Sequence, residues 1–113
     1  RFPAWCRNVL NQYDALIAVA NWPQVRVDAW NKLLVARAIE NEAYVLGVDC
    51  RGTDTGGFVY DGSSAVIDYK GRTMADKSSD DSPFIYASLD MDALLRFLAK
   101  FPAWQDADNF RLL

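Results

Sequence analysis

A mixed α/β (α+β) chain is what this sequence predicts, and three observations carry the expectation. The runs "DALIAVA" (residues 14–20) and "AYVLGVD" (residues 43–49) are short and almost uninterruptedly apolar. That is the pattern of strands buried on both faces. Between them, residues 25–42 place Val27, Trp30, Leu34 and Ala38 at helical spacing, with Leu33 and Ile39 widening the stripe. Strand, helix and strand in that order make a β-α-β unit, which favours parallel neighbours. The third observation is the change of character after residue 50, where short strand-like pieces alternate with turns before a final helix.

Along the chain, residues 4–10, after Pro3, read as a short helix that Asn11 stops. Asn21-Trp22-Pro23 ends the first strand, because proline cannot continue a central strand. "RGTDTGG" (residues 51–57) reads as a turn-rich loop. Residues 58–60 are a short strand, "DGSS" a turn, residues 65–69 a strand, Lys70-Gly71 a hairpin turn and residues 73–75 its return. "DKSSDDS" is polar and exposed, residues 83–88 are a further strand, and Asp90 caps a helix over residues 91–100. The last stretch, "FPAWQDADNFRLL", holds three aromatics without a period, so it needs a cover.

Composition narrows the function. The chain has 113 residues, 51% apolar and 24% charged, which suits one core-forming domain or part of one. Its net charge is −3 and its basic residues do not cluster, so a nucleic-acid footprint is missing. No apolar run approaches the ~20 residues of a membrane-spanning helix. Two cysteines are too few for a disulfide scaffold, and reduced thiols in a cytoplasmic protein are the simpler reading. There is no histidine, so Ser-His-Asp, Cys-His and zinc-His chemistry are impossible within these residues.

Each candidate has two readings. Cys6 lies between Arg1 and Arg7, as a thiolate nucleophile would, yet a buried inert thiol on a short helix fits equally simple chemistry. Arg37 and Glu40 share a helix face, as a pair shaping a site or as a packing pair. "DTGG" and "DGSS" run into strands rather than a helix N-terminus, which suits turns over phosphate binding. "SSDD" lacks calcium-loop spacing. Trp22 stands just past the C-terminal end of a strand, where α/β sheets gather ligands, or it packs in a turn.

Taken together, "RFPAWCRN", "YDALIAVANWPQVRVDAWNKLLVARAIENEAYVLGVD", "GGFVYDGSSAVIDYKG" and "KFPAWQDADNF" resemble the nitrilase, or carbon–nitrogen hydrolase, superfamily, in its ω-amidase-like branch. The resemblance runs the length of the chain in unbroken order. It implies the C-terminal part of a four-layer α-β-β-α sandwich, with residues 1–113 as part of one hydrolase domain. Arg1-Phe2-Pro3 match the end of the family stretch Cys-Tyr-Asp-Leu-Arg-Phe-Pro, so the nucleophile is expected four residues before Arg1, with the catalytic glutamate and lysine further upstream. Cys6 becomes a bystander. The resemblance implies cofactor-free hydrolysis of the ω-amide of a small dicarboxylate monoamide, 2-oxoglutaramate-like, in a homodimer without a metal. Arg1, Asn21, Trp22 and Pro23 are then the expected pocket residues, and the N-terminal part of the same protein is the expected partner. A hydrolase of another amide or nitrile, or a non-catalytic binding module on the same half-fold, is the alternative. The sequence departs from the family at "DTGG", where relatives often show Asp-Gly-Asn-Gly, at Ser63 (often Asp) and at Tyr69 (often Pro).

Overall fold

The computed structural model describes residues 1–77 and 82–111. Its centre is a four-stranded sheet in the order β1 (Ala15–Ala20), β2 (Tyr44–Asp49), β5 (Ala65–Ile67), β6 (Thr73–Asp76), beside a two-stranded hairpin of β3 (Arg51–Thr53) and β4 (Val59–Asp61). Strands β1 (Ala15–Ala20) and β2 (Tyr44–Asp49) are parallel, in register from Ala15↔Tyr44 to Ala20↔Asp49. Helix α1 (Val27–Asn41) makes the crossover, as the β-α-β pattern requires. Strands β5 (Ala65–Ile67) and β6 (Thr73–Asp76) extend the sheet antiparallel.

The predicted stripe of α1 is its buried face. Trp30, Leu34 and Ala38 form one core with Val45 and Ile67, and Leu16, Ala18 and Ala20 pack against it. Ile39 stays largely exposed, although its Cδ1 reaches the turn at Gly71. The helix lies close on β2 at Gly47, where a Cβ would stand 2.4 Å from Leu34 Cδ1. A larger residue there would push the two layers apart. Glu42 ends α1 in the left-handed region (φ 49°), donating its N–H to the Ala38 and Ile39 carbonyls.

Four expectations are corrected. Strand β1 is covered on one face, not two: Leu16, Ala18 and Ala20 point to α1, while Ile17 is 65% and Val19 77% exposed. The alternation was masked in sequence because both faces are apolar. Residues 4–10 form no α-helix but two 3-10 turns, Pro3–Cys6 and Val9–Asn11. The reason is the buried Asn8 between them. Its Nδ2–H donates to the Tyr13 and Asn41 carbonyls and its Oδ1 accepts the Tyr13 N–H, so side-chain bonds replace a helical ladder. "RGTDTGG" is not all loop, because Arg51–Thr53 is strand β3, paired with β4 (Val59–Asp61). Residues 83–88 form no strand. Pro83, Phe84 and Ile85 line a groove with Leu46, Val48 and Val66, so the segment crosses the sheet's face rather than pairing with an edge.

Helix α2 (Met91–Lys100) starts where expected, with Asp90 accepting the Ala93 N–H at 2.8 Å. It buries Leu94 and Leu98 against Tyr44, with Leu46, Tyr69 and Trp104 around them. Tyr69 fits by standing edge-on to Tyr44 and close to Phe97. The tail finds part of its cover within the chain: the Trp104 N–H donates to Glu42 Oε2 at 3.0 Å, and Arg7 lies over the Phe110 ring at 5.5 Å. Residues 78–81, within "DKSSDDS", and residues 112–113 lie outside the described residues.

Candidate active site

Parallel pairing puts the C-terminal ends of β1 and β2 side by side. The strand ends and the residues just past them therefore meet at one edge of the sheet: Asn21, Trp22 and Pro23 after β1, Asp49 and Cys50 at the end of β2. Bonds across this edge are dense. Asp49 Oδ1 accepts the Trp22 N–H at 2.6 Å and the Cys50 N–H at 3.0 Å, while the Cys50 N–H also reaches the Ala20 carbonyl at 3.2 Å. Pro23 is buried, and the loop turns through Gln24–Arg26 into α1.

The Trp22 indole is held from three sides. Its ring lies 5.5 Å from that of Trp30, tilted by 37°. Its Nε1–H donates to the Arg26 carbonyl at 2.7 Å. The Arg1 guanidinium lies over it at 5.2 Å, a cation–π contact that neutralises nothing and leaves the charge available. Trp30 is itself anchored by its Nε1–H to the Ser63 carbonyl at 2.7 Å. The Ser63 hydroxyl itself donates to Asp61 Oδ1 at 2.6 Å.

Arg1 is fixed from below by Arg37. The buried Arg37 donates from Nη2 to the Arg1 carbonyl at 2.7 Å and from Nη1 to Glu40 Oε1 at 2.8 Å. The fork geometry of a guanidinium suits this double task. Further along, the Asn8 N–H donates to Asn41 Oδ1 at 2.8 Å. Helix α1 therefore holds the opening segment at two points on one face.

Of the four residues expected in a pocket, the structure brings Arg1 and Trp22 into contact and buries Pro23, while Asn21 is exposed at the strand end. Sequence reasoning did not single out Asp49. The available signal was a carboxylate closing the otherwise apolar run "YVLGVD". A groove of about 450 Å³ opens beside it, with Asp49, Arg51, Asp61, Ser64 and Lys77 among its lining.

The two cysteines sit in different surroundings. Cys6 is half-buried, and its Sγ–H donates to the Pro3 carbonyl at 3.5 Å. Its carbonyl accepts the Tyr13 hydroxyl. The Cys50 thiol is pushed up from its ordinary range by desolvation, then by the negative charges of Asp49 and Asp54. That is the opposite of what a nucleophile needs. In the β3-β4 hairpin, the Tyr60 hydroxyl and the N–H groups of Phe58, Gly56 and Gly57 hold the Asp54 carboxyl below its usual range. Among the described residues, no His/Cys/Asp/Glu group is arranged to hold a metal ion.

An α/β sheet with a crossover helix, whose fixed aromatic and guanidinium meet at the C-terminal ends of parallel strands, is the architecture of a small-ligand site. Known proteins share the fold. The carbon-nitrogen hydrolase family matches residues 1–96, and this chain belongs to that family. It is 51% identical over 112 residues to omega-amidase YafV of Escherichia coli K12, covering 99% of this chain and 43% of that protein. It is 32% identical over 107 residues to the 2-oxoglutaramate amidase of Bacillus subtilis, covering 94% and 40%. The chain thus spans less than half the length of these relatives. In three dimensions it resembles a carbon-nitrogen hydrolase superfamily protein of Xanthomonas campestris with an arsenic adduct in its active site, at a TM-score of 0.90 and 37% identity over 99% of this chain and 44% of that one. The carbon-nitrogen hydrolase membership and the mixed α/β fold expected from sequence are borne out.

Proposed function

We propose that this chain is the C-terminal part of a cysteine-dependent amidase that hydrolyses the ω-amide of a small dicarboxylate monoamide, 2-oxoglutaramate-like, to the acid and ammonia. The observation that carries the reading is the Arg1–Trp22 stack at the paired strand ends. Identity to amidases along almost the whole chain supports it. A carboxylated substrate suits an arginine held through its backbone with its guanidinium left facing the site, and the indole supplies a flat apolar wall.

The chemistry belongs to residues upstream. A glutamate takes the proton of the cysteine thiol, and the thiolate attacks the amide carbonyl. A lysine and a backbone N–H hold the oxyanion. The tetrahedral intermediate expels ammonia, which leaves with the proton, and water hydrolyses the thioester to release the acid. No cofactor takes part. Arg1, Asn21, Trp22 and Pro23 line the substrate pocket. The apolar sheet face carrying Ile17 and Val19 packs on the N-terminal part of the same protein, completing the four-layer sandwich. The enzyme is a cytoplasmic homodimer.

The test is ammonia release by the complete enzyme from 2-oxoglutaramate and from short uncharged amides, with Trp22→Ala alongside. The variant is expected to fold and to lose roughly tenfold to a hundredfold in kcat/KM, as displaced pocket walls do. An enzyme that releases no ammonia from any ω-amide would end the amidase reading, and unchanged kinetics in the variant would remove Trp22 from the pocket.

A further inference from the structure

One carboxylate at the strand ends acts beyond its own strand. Asp49 is 7% exposed and closes β2. Its backbone is locked to the residue that precedes β5: the Asp49 N–H donates to Ser64 Oγ at 2.9 Å, and the Ser64 hydroxyl donates to the Asp49 carbonyl at 3.3 Å. The side chain therefore projects from a fixed support inside the sheet. Trp22, by contrast, lies past the end of β1, in a loop with no ladder of its own. The bond from the Trp22 N–H to Asp49 Oδ1 ties that loop to the sheet. An ionised acceptor makes such a bond roughly twice as strong as a neutral one.

The second oxygen gives an independent observation. Asp49 Oδ2 is buried and has no hydrogen-bond partner among the described residues. A desolvated, unpaired carboxylate oxygen is costly, and an apolar residue at the end of a buried strand would avoid the cost. Local rules broken in this way concentrate at sites kept for function.

We propose that Asp49 is a positioning residue, which holds the Trp22 backbone so that the indole stands between Trp30 and Arg1 as one wall of the amide site. This inference rests on the amidase reading above. It assigns Asp49 no contact with the reacting atoms. The carboxylate sets where the wall stands, and so how tightly the substrate is held.

The complete enzyme carrying Asp49→Ala, Asp49→Asn or Trp22→Phe tests it with two readouts. The first needs no substrate. Two indoles this close and tilted give an exciton couplet in far-ultraviolet circular dichroism, which Trp22→Phe identifies by abolishing it. The second is the split of kcat and KM on 2-oxoglutaramate. Asp49→Ala is expected to lose the couplet and to raise KM by about tenfold, with kcat changed less than about threefold. Asp49→Asn keeps an oxygen acceptor and is expected to recover the couplet and most of the loss in KM. A folded Asp49→Ala enzyme with the couplet and KM intact would overturn the proposal. So would an Asn variant as damaged as the Ala variant. If Asp49→Ala does not fold, Asp49→Ser replaces it under the same criteria, and if neither folds, Asp49 is a core residue and the proposal fails. Should the unsubstituted enzyme hydrolyse no ω-amide, the amidase reading fails by itself, and the couplet alone decides whether Asp49 positions Trp22.

Discussion

Cys6 is the residue most easily misread. Flanked in sequence by an aromatic and an arginine, it looks activated, yet its thiol merely donates to a carbonyl three residues back. We expect Cys6→Ala in the complete enzyme to keep amide turnover within a few-fold of the parent, because a packing residue costs stability rather than transition-state binding. A steady-state assay on folded protein that found a thousandfold loss would reverse the assignment. Tyr13, which donates to the Cys6 carbonyl, makes a second prediction. Its pKa is pushed from 10.0 up to about 12, first by burial and then by the negative charge that Cys6 and Glu40 carry when ionised. A folded pKa above the unfolded value favours the protonated form. The stabilisation is thus complete below pH 10 and lost as pH rises through about 12. Difference absorbance of tyrosinate between the parent and Tyr13→Phe should show one phenol titrating late in the native protein, and a normal titration would contradict the burial.

Among the elements, α1 lies close on β2 at Gly47. Gly47→Ala would place a methyl group against Leu34 and Trp30, both core residues. The flexible end of Leu34 can give way, so the expected cost is about 1–3 kcal/mol of stability rather than loss of the fold. Denaturant unfolding of the two proteins measures it, and equal midpoints would show that the layers separate freely. At α2, Asp90→Ala removes the acceptor of the Ala93 N–H. A cap of this kind contributes about 1 kcal/mol. The two helices were legible for different reasons. α1 announced itself by a stripe of apolar residues, and α2 by its cap. The opening turns were not legible, because Asn8 draws its bonds from Tyr13 and from Asn41, across 33 positions of sequence. No local pattern encodes such a partner.

For the whole molecule, the tail and the open sheet face matter most. Trp104 is partly buried against α2, but Phe101 and Phe110 remain more than half exposed. Burying such rings stabilises by about 1.5–3 kcal/mol each, so a surface that completes their cover is expected. We propose that the tail packs in part on a second subunit through a two-fold, self-complementary contact. Deleting residues 103–113 from the complete enzyme and weighing it by light scattering tests this. A truncated enzyme that stays fully dimeric at micromolar concentration would mean that the tail packs only on its own subunit. By the same reasoning residues 1–113 alone should be inactive and unfold without cooperativity, since Ile17 and Val19 leave the β1 part of one sheet face apolar and exposed.

By itself the sequence determined the β-α-β core, the face α1 buries, the cap of α2, the turn at Lys70-Gly71 and the resemblance that led to the family. All of these come from periodicity, from residues with special backbone or hydrogen-bonding chemistry, or from motifs kept in order, and such signals are local. Only the tertiary structure decided that β1 is covered on one side, that residues 83–88 cross a face instead of pairing, and that Arg37 reaches Arg1 and Asp49 reaches Trp22. The last of these depends on parallel pairing, which brings a backbone N–H within 2.6 Å of a carboxylate 27 positions away, and the Arg37–Arg1 bond spans 36 positions. An apolar strand reads the same whether one face or two are covered, and a buried carboxylate reads the same whether or not a backbone N–H is brought to meet it.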